Sequence, residues 1–230
     1  MEPEFVGFPK EMQVFFRDLA SNNSKEWFEA NRNRYERYVL EPSRSFVVAI
    51  GEKLRPIVPG IQAIPIANKS LFRINRDIRF SKDKTPYKTH MGLYVWEGDR
   101  PKRMECSGFY IHYDDGKVFL GGGLHDFPKD ILKGYREQVA NKTNAKELKK
   151  IIDTVSQHPE ITVGGEHYKR PPSGYEVVPE NETLLKYKGL FASLEPNLPD
   201  SFYKPEFLDF CFERYKVMLP LHRWIVDNLF

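Results

Sequence analysis

The spacing of hydrophobic residues changes twice along this chain, and that change restricts the possible folds more than any other feature. Near the N-terminus, apolar residues after Pro9 recur at helical spacing: Met12, Phe15, Phe16 and Leu19. The middle third instead contains short runs of aromatic and β-branched residues, which are typical of strands. Helical spacing then returns. This order predicts an α+β fold, in which an antiparallel sheet from the middle of the chain packs against N-terminal and C-terminal helices.

The predicted strands are short runs: Leu71–Ile74, Ile78–Phe80, Gly92–Trp96, Gly108–Tyr113 and Lys117–Leu120. The last two are separated by Asp114, Asp115 and Gly116, a hairpin turn signal, so we expect them to pair antiparallel. The 230 residues contain no internal repeat, low-complexity tract or convincing linker. The sequence therefore predicts a single domain that covers residues 1–230.

Composition excludes several classes of protein. No apolar run approaches the roughly 18 residues that a membrane-spanning helix needs, so no membrane association is expected. The acidic, proline-interrupted N-terminus does not resemble a secretory signal. The two cysteines, Cys106 and Cys211, cannot form a disulfide framework or a zinc finger, and lone thiols suit a reducing compartment. We therefore expect a cytoplasmic protein, and composition says nothing about its reaction.

Positive charge is concentrated in one stretch, residues 68–90, which we call the basic segment. It holds seven basic residues and two acidic residues, Asp77 and Asp83, a net charge of +5 in a chain whose total is +3. The rest of the chain therefore carries −2. Arginines bind phosphates and carboxylates as bidentate forks, and lysines act as mobile point charges. The segment is either an anion site or a solvated loop whose arginines pair with acids elsewhere.

The pattern within the basic segment suggests how it is built. Polar residues at Arg73, Asn75, Asp77 and Arg79 alternate with apolar ones, although Arg76 breaks the alternation. An extended chain would present the guanidinium groups on one face. The hydrophobic residues expected to pack beneath that face are Phe72, Ile74, Ile78 and Phe80.

A family resemblance supports a functional role for this segment. Its sequence FRINRDIRFSKDKTPYKTHMG closely resembles the signature of the family catalogued as domain of unknown function 2461. The similarity extends, in one order, to EWFEANRNRY, GFYIH, FLGGGL, KRPPSGY and LLKYKGL. The resemblance implies a single intracellular domain whose hallmark is the Arg/Lys/Asp segment. It implies no reaction, ligand, cofactor or catalytic residue, and it favours the anion site over the solvated loop.

Two further stretches could add to an anion site. The triple glycine Gly121, Gly122 and Gly123 is predicted to form a turn between a strand and a helix, where backbone amides can bind an anion. The alternative is a backbone that passes close to another element and needs glycine for clearance. Arg170, in a proline-rich loop, could extend the positive rim or belong to a structural turn.

Catalytic candidates are few. His112, His125 or Asp77 could act as a general base, and His90 could join them. A strand histidine is more often structural, and Asp77 and Asp83 could instead orient Arg76 or Lys82 through ion pairs, or hold Mg²⁺ beside a phosphate. The sequence contains no metal-binding or nucleophile motif, so we predict no metal site and leave catalysis open.

The leading hypothesis is a site for a phosphate-bearing or otherwise polyanionic ligand, with phosphoryl or phosphodiester chemistry if the protein is an enzyme. Asp77 and Asp83 would orient the cations, and Tyr87 would donate a hydrogen bond or stack. The residues expected to clamp the anion are Arg73, Arg76, Arg79, Lys82, Lys84 and Lys88. The alternatives are a nucleic-acid-binding module, with Phe72, Phe80 and Tyr87 stacking on bases, and a scaffold that docks an acidic partner.

Overall fold

The structure is a computed structural model that describes residues 4–114, 116–175 and 178–230. Asp115, in the predicted hairpin turn, lies outside the described residues. The chain divides into two compact units. The first consists of Met1–Val95, Tyr110–Phe119 and Glu195–Phe212, and the second of Trp96–Phe109, Leu120–Leu194 and Glu213–Phe230. No helix in the described ranges is both long enough and apolar enough to cross a membrane.

The α+β prediction is confirmed: the described residues form an antiparallel sheet in the middle of the chain, with helices towards both ends. The six strands occur in the order β1-β2-β3-β4-β6-β5. Their bounds are β1 Ile61–Gln62, β2 Met91–Glu97, β3 Ser107–Asp114, β4 Lys117–Leu124, β5 Thr162–Glu166 and β6 Tyr187–Leu194. The predicted strands at Gly92–Trp96, Gly108–Tyr113 and Lys117–Leu120 coincide with β2, β3 and β4.

The helices follow the hydrophobic spacing of the two ends of the chain. Their bounds are α1 Lys10–Ser21, α2 Lys25–Ala30, α3 Arg32–Tyr35, α4 Glu41–Leu54, α5 Lys129–Ala140, α6 Lys142–Ser156 and α7 Phe207–Leu229. A π-helical turn, Glu36–Leu40, joins α3 to α4, and short 3₁₀ turns occupy Arg103–Glu105, Pro179–Lys186 and Asp200–Tyr203.

Aromatic rings fill the core of the first unit. The apolar face of α1 is buried as its spacing predicts, and Phe16 on that face contacts Tyr113 of β3 at a ring separation of 6.1 Å. Phe202 stacks on Tyr113 at 5.3 Å and on Phe8 at 4.8 Å. Residues of β3 that alternate with Tyr113 point to the other face, so Tyr110 and His112 are only half-buried.

The second unit contains a buried polar network. The Ser107 hydroxyl lies 2.8 Å from Nδ1 of His222, and Nε2 of the same ring lies 3.0 Å from Glu97. Arg223 also donates to the Glu97 carboxylate, at 2.9 Å. Ser107 and His222 are completely buried. Burial lowers the pKa of His222, so the ring is neutral at neutral pH, donates from Nε2 to Glu97 and accepts the Ser107 proton at Nδ1.

Candidate functional site

The basic segment forms a closed loop of irregular backbone instead of two strands. Isolated bridges join Leu71 to Leu93 and Asn75 to Tyr87. Around the second bridge, the Arg76 amide donates to the Pro86 carbonyl at 2.9 Å, and the Lys88 amide donates to Ile74 at 2.8 Å. The strand predictions for Leu71–Ile74 and Ile78–Phe80 are therefore wrong, although the two arms of the loop do pair near its base.

Local side-chain hydrogen bonds explain why regular strands do not form. Asp83 Oδ1 accepts from the Thr85 amide at 2.9 Å, and Asp77 Oδ1 accepts from the Arg79 amide at 3.3 Å. Each aspartate thus bonds the backbone two residues further on, which favours turns over a sheet ladder. The alternation of polar and apolar residues indicated strands, but the aspartates within it direct the backbone into turns.

The base of the loop is attached to the start of α2 through Tyr87. The Tyr87 ring is buried and stacks on Phe28 at 4.2 Å. The side chain of Asn23 forms two hydrogen bonds with the Tyr87 backbone. Its Oδ1 accepts from the Tyr87 amide at 3.0 Å, and its Nδ2 donates to the Tyr87 carbonyl at 3.0 Å. The sequence analysis did not identify Asn23 as an anchor of the loop. The one feature that could have drawn attention to it is its position next to Ser24, which caps α2. The Tyr87 ring holds the loop in place and is not presented for stacking on a ligand.

The four apolar residues expected beneath the loop have different environments. Ile74 is buried, and Phe72 and Ile78 are half-buried. Phe80 is 94% exposed, so the prediction that it packs against the core is wrong. The chain bends at Arg79 and Phe80, so Phe80 lies at the tip of the loop, beyond the paired base.

Both acids of the segment form ion pairs within it. Asp83 pairs with Arg76, one of the two partners that the orienting interpretation named, whereas Asp77 pairs with Arg79. Asp77 binds Arg79 through two hydrogen bonds of 2.9 and 2.7 Å. Asp83 pairs with Arg76, and its other bonds go to Thr85. The Arg79 side chain and amide lower the pKa of Asp77 to about 2. The Thr85 amide, followed by Arg76, lowers the pKa of Asp83 to about 2. Both carboxylates are therefore ionised at neutral pH, and so low a pKa makes Asp77 a weak general base.

Arg76 holds the two sides of the loop together. Its side chain is only 26% exposed. Besides Asp83, the guanidinium contacts the Thr85 hydroxyl, the Thr85 carbonyl at 3.3 Å and the Ser81 hydroxyl at 3.5 Å. The Arg76 guanidinium therefore binds several oxygens of the segment itself and stabilises the loop.

We expect Arg76→Ala to loosen the loop, because the substitution removes the group that joins Asp83, Thr85 and Ser81. The Lys88 amide, which bonds Ile74 across the base, should exchange its proton at least about tenfold faster. Hydrogen exchange followed by mass spectrometry or NMR measures this. Arg79→Ala is the matched control, since Arg79 forms its ion pair with Asp77 and its side chain is exposed. Equal protection in both variants would contradict the role assigned to Arg76.

Once these pairs are formed, the basic segment still carries an excess of positive charge. It contains no third acid to balance its other five cations: Lys69, Arg73, Lys82, Lys84 and Lys88. Arg73, Lys82 and Lys84 are exposed, and the Lys84 ammonium donates to the Ile78 carbonyl at 2.9 Å. These cations lie along a loop whose conformation is fixed by its own hydrogen bonds.

Aromatic and histidine rings lie next to the base of the loop, in the first unit. The His112 ring stacks on Phe119 of β4 at 5.2 Å and lies 5.6 Å from the His90 ring. Lys88 lies 5.6 Å above the Phe72 ring, which in turn contacts Tyr110 at 5.7 Å. Burial lowers the pKa of both histidines, and the neighbouring His112 adds to the shift of His90. Both rings are therefore neutral at neutral pH, the state that a general base requires.

The remaining candidates belong to the second unit. Gly121, Gly122 and Gly123 lie within β4 and pair with Ser193, Ala192 and Phe191 of β6, so the predicted glycine turn is wrong. A Cβ on Gly123, where φ is +127°, would lie 2.4 Å from the Leu190 carbonyl oxygen. Clearance between strands therefore accounts for this glycine, as the alternative interpretation held.

Arg170 is exposed in the loop after β5. Among the residues that the structure describes, no group of three or more His, Cys, Asp or Glu side chains is arranged to hold a metal ion.

The fold and the segment together describe an α+β protein with an ordered, cation-rich loop. The family described as conserved hypothetical protein (DUF2461) matches residues 11–224, nearly the whole chain. The chain belongs to this family, and the resemblance drawn from the sequence is confirmed. A comparison with curated proteins gives no match.

Proposed function

We propose that this protein binds a phosphate-bearing polyanion on the basic segment, in the cytoplasm. The proposal rests on one observation: both acids of the segment are already paired with its own arginines, Asp77 with Arg79 and Asp83 with Arg76. The cations of the segment outnumber its two acids, and three of them, Arg73, Lys82 and Lys84, are exposed on a loop that its own hydrogen bonds already order. A loop fixed in advance loses less conformational entropy when an anion binds, so its charges contribute more to affinity.

Phosphate chemistry fits the displayed groups better than a neutral ligand does. Lysine ammonium groups are mobile point charges, and Arg73 adds a guanidinium fork that matches phosphate oxygens. Arg73, Lys82 and Lys84 are all exposed, so a phosphate that they bind stays at the surface of the loop. This exposure favours an extended polyanion with several phosphates over a single small phosphate compound in a buried pocket.

A binding titration tests the proposal. We expect inorganic polyphosphate to bind saturably at low salt, with the logarithm of the association constant falling linearly with the logarithm of salt concentration. Polyglutamate, which has carboxylates and no phosphates, is the control for a scaffold that docks an acidic protein. Absence of polyphosphate binding at low salt, or tighter binding of polyglutamate, would overturn the proposal.

Phosphodiester cleavage is a second candidate function, with His112 as the general base. The observation that favours it is the neutral His112–His90 pair beside Lys88 at the base of the loop. A neutral imidazole can accept a proton from an attacking water while nearby cations stabilise the developing phosphate charge.

We expect His112→Gln to separate this candidate from simple binding. If the pair is catalytic, the variant should hydrolyse a chromogenic phosphodiester at least about 100-fold more slowly, because general base catalysis contributes about that much. Its affinity for polyphosphate should remain within about twofold of the unaltered protein. His125→Gln, which changes an exposed histidine of the second unit, is the control. A rate for the unaltered protein equal to the background would exclude the second candidate and leave the first intact.

A further inference from the structure

Phe80 is the most exposed large hydrophobic residue of the described chain. The residue is 94% exposed, whereas the next most exposed of the large hydrophobic residues described, Val6, is 67% exposed. It lies at the tip of the basic segment, between the Asp77–Arg79 pair and Lys82. A ring that is exposed in the folded protein adds no hydrophobic stabilisation to the fold, and this one stands in a loop among exposed cations. An apolar ring flanked by cations matches a ligand that has both an aromatic face and negative charge.

We propose that the segment binds single-stranded nucleic acid, with an unpaired base stacked on Phe80 and the adjacent phosphates held by Arg73, Lys82 and Lys84. This inference rests on the proposed polyanion function and names its ligand class. Aromatic rings beside cations bind single strands in this way, because every base has a π-face and every linkage a phosphate. A paired base is already stacked within its duplex, so the ring selects single strands.

The surroundings of the ring suit stacking. The Arg79 guanidinium lies 5.8 Å from the centre of the Phe80 ring and is fixed by Asp77. A guanidinium next to the ring can add cation–π and stacking contacts to the same base. Tyr87 and Phe72, the other rings that could have stacked, are committed to Phe28 and Tyr110. Phe80 is therefore the single platform that the segment offers.

An anionic membrane is the competing partner for an exposed ring among cations. Asp77 and Asp83 oppose it, since both carboxylates are ionised and lie within three residues of Phe80. Insertion of the tip would bring them against negatively charged headgroups and into a less polar medium. Stacking on a base leaves both aspartates in water.

The test measures how Phe80→Ala changes the binding of probes that differ only in their bases. We expect the variant to bind a 12-nucleotide oligothymidylate or oligouridylate about tenfold more weakly than the unaltered protein. Its affinity for an abasic oligonucleotide of the same length and for inorganic polyphosphate should change by less than about twofold. Phe80→Trp, which keeps a stacking ring, should retain the affinity for the oligonucleotides.

Phe230→Ala is the matched control, because Phe230 is 51% exposed and has Arg100 at 6.0 Å from its ring. Equal binding by Phe80→Ala and the unaltered protein in both the DNA and the RNA arm would overturn the stacking inference. So would Phe80-dependent binding to phosphatidylserine vesicles without an effect on oligonucleotides. In either case, retained polyphosphate binding would leave the proposed function standing. If no polyanion binds at low salt, the proposed function fails as well.

Discussion

Replacement of Arg73, Lys82 and Lys84 by glutamate is expected to weaken polyphosphate binding by about 100-fold or more at low salt. Each substitution removes an attraction between a cation and a phosphate and introduces a repulsion. Hydrogen bonds to charged groups contribute about 1.5–3 kcal/mol each, so the loss of three exceeds two orders of magnitude even after screening. All three side chains are exposed, so the fold should be preserved.

A second triple variant separates the site from the net charge of the protein. Lys142, Lys146 and Lys150 are exposed on α6 in the second unit, and their replacement by glutamate changes the total charge equally. We expect this control to lower affinity by less than about threefold. Isothermal titration or fluorescence anisotropy at two salt concentrations measures both variants. Equal losses in the two would show that binding follows overall charge and not the basic segment.

The largest effect on stability is expected from His222→Ala. The ring is completely buried and bonded at both nitrogens, to Ser107 and to Glu97. Its removal leaves the buried Ser107 hydroxyl without its partner and opens a cavity beside Phe109, whose ring lies 4.9 Å away. Together these losses amount to about 3–5 kcal/mol in the free energy of unfolding.

Arg223→Ala is the control for this network, since Arg223 lies next to His222 on α7 and binds the same carboxylate. Its side chain is partly exposed, and we expect a loss below about 1 kcal/mol. Urea unfolding followed by circular dichroism gives both values. A cost for His222→Ala no larger than that for Arg223→Ala would show that the buried network does not stabilise the protein.

Three buried or half-buried histidines determine how we expect stability to depend on pH. Burial lowers the pKa values of His90, His112 and His222 from their ordinary value of 6.5. As the pH falls through 6.5, the unfolded chain therefore takes up protons before the folded one does, and the folded state is destabilised. We expect the free energy of unfolding to decrease from pH 7.5 to pH 5.5 in urea titrations. An increase over that range would contradict the neutral, buried state of these rings.

Local spacing in the sequence determined the helices and the middle strands. The buried face of α1 and the positions of β2, β3 and β4 follow from periods of 3.6 and 2, which any packed core imposes on its elements. The excess charge of the basic segment was likewise a property of the sequence, because counting residues requires no fold. β6 was missed: Lys188, Gly189, Ala192 and Ser193 weaken the strand signal, and its place between β4 and β5 depends on partners far along the chain.

The candidate site required the tertiary structure. Periodicity placed Phe80 beneath the loop, and the anion-site hypothesis assigned Tyr87 to the ligand. In the structure Phe80 is exposed, and Tyr87 is held by Phe28 and Asn23. His222 drew no attention in the sequence, since Ser107 and Glu97 lie 115 and 125 residues away along the chain. A repeating pattern reports which side of an element faces a core. It cannot report which distant residue completes a contact, because that depends on how the elements pack in three dimensions.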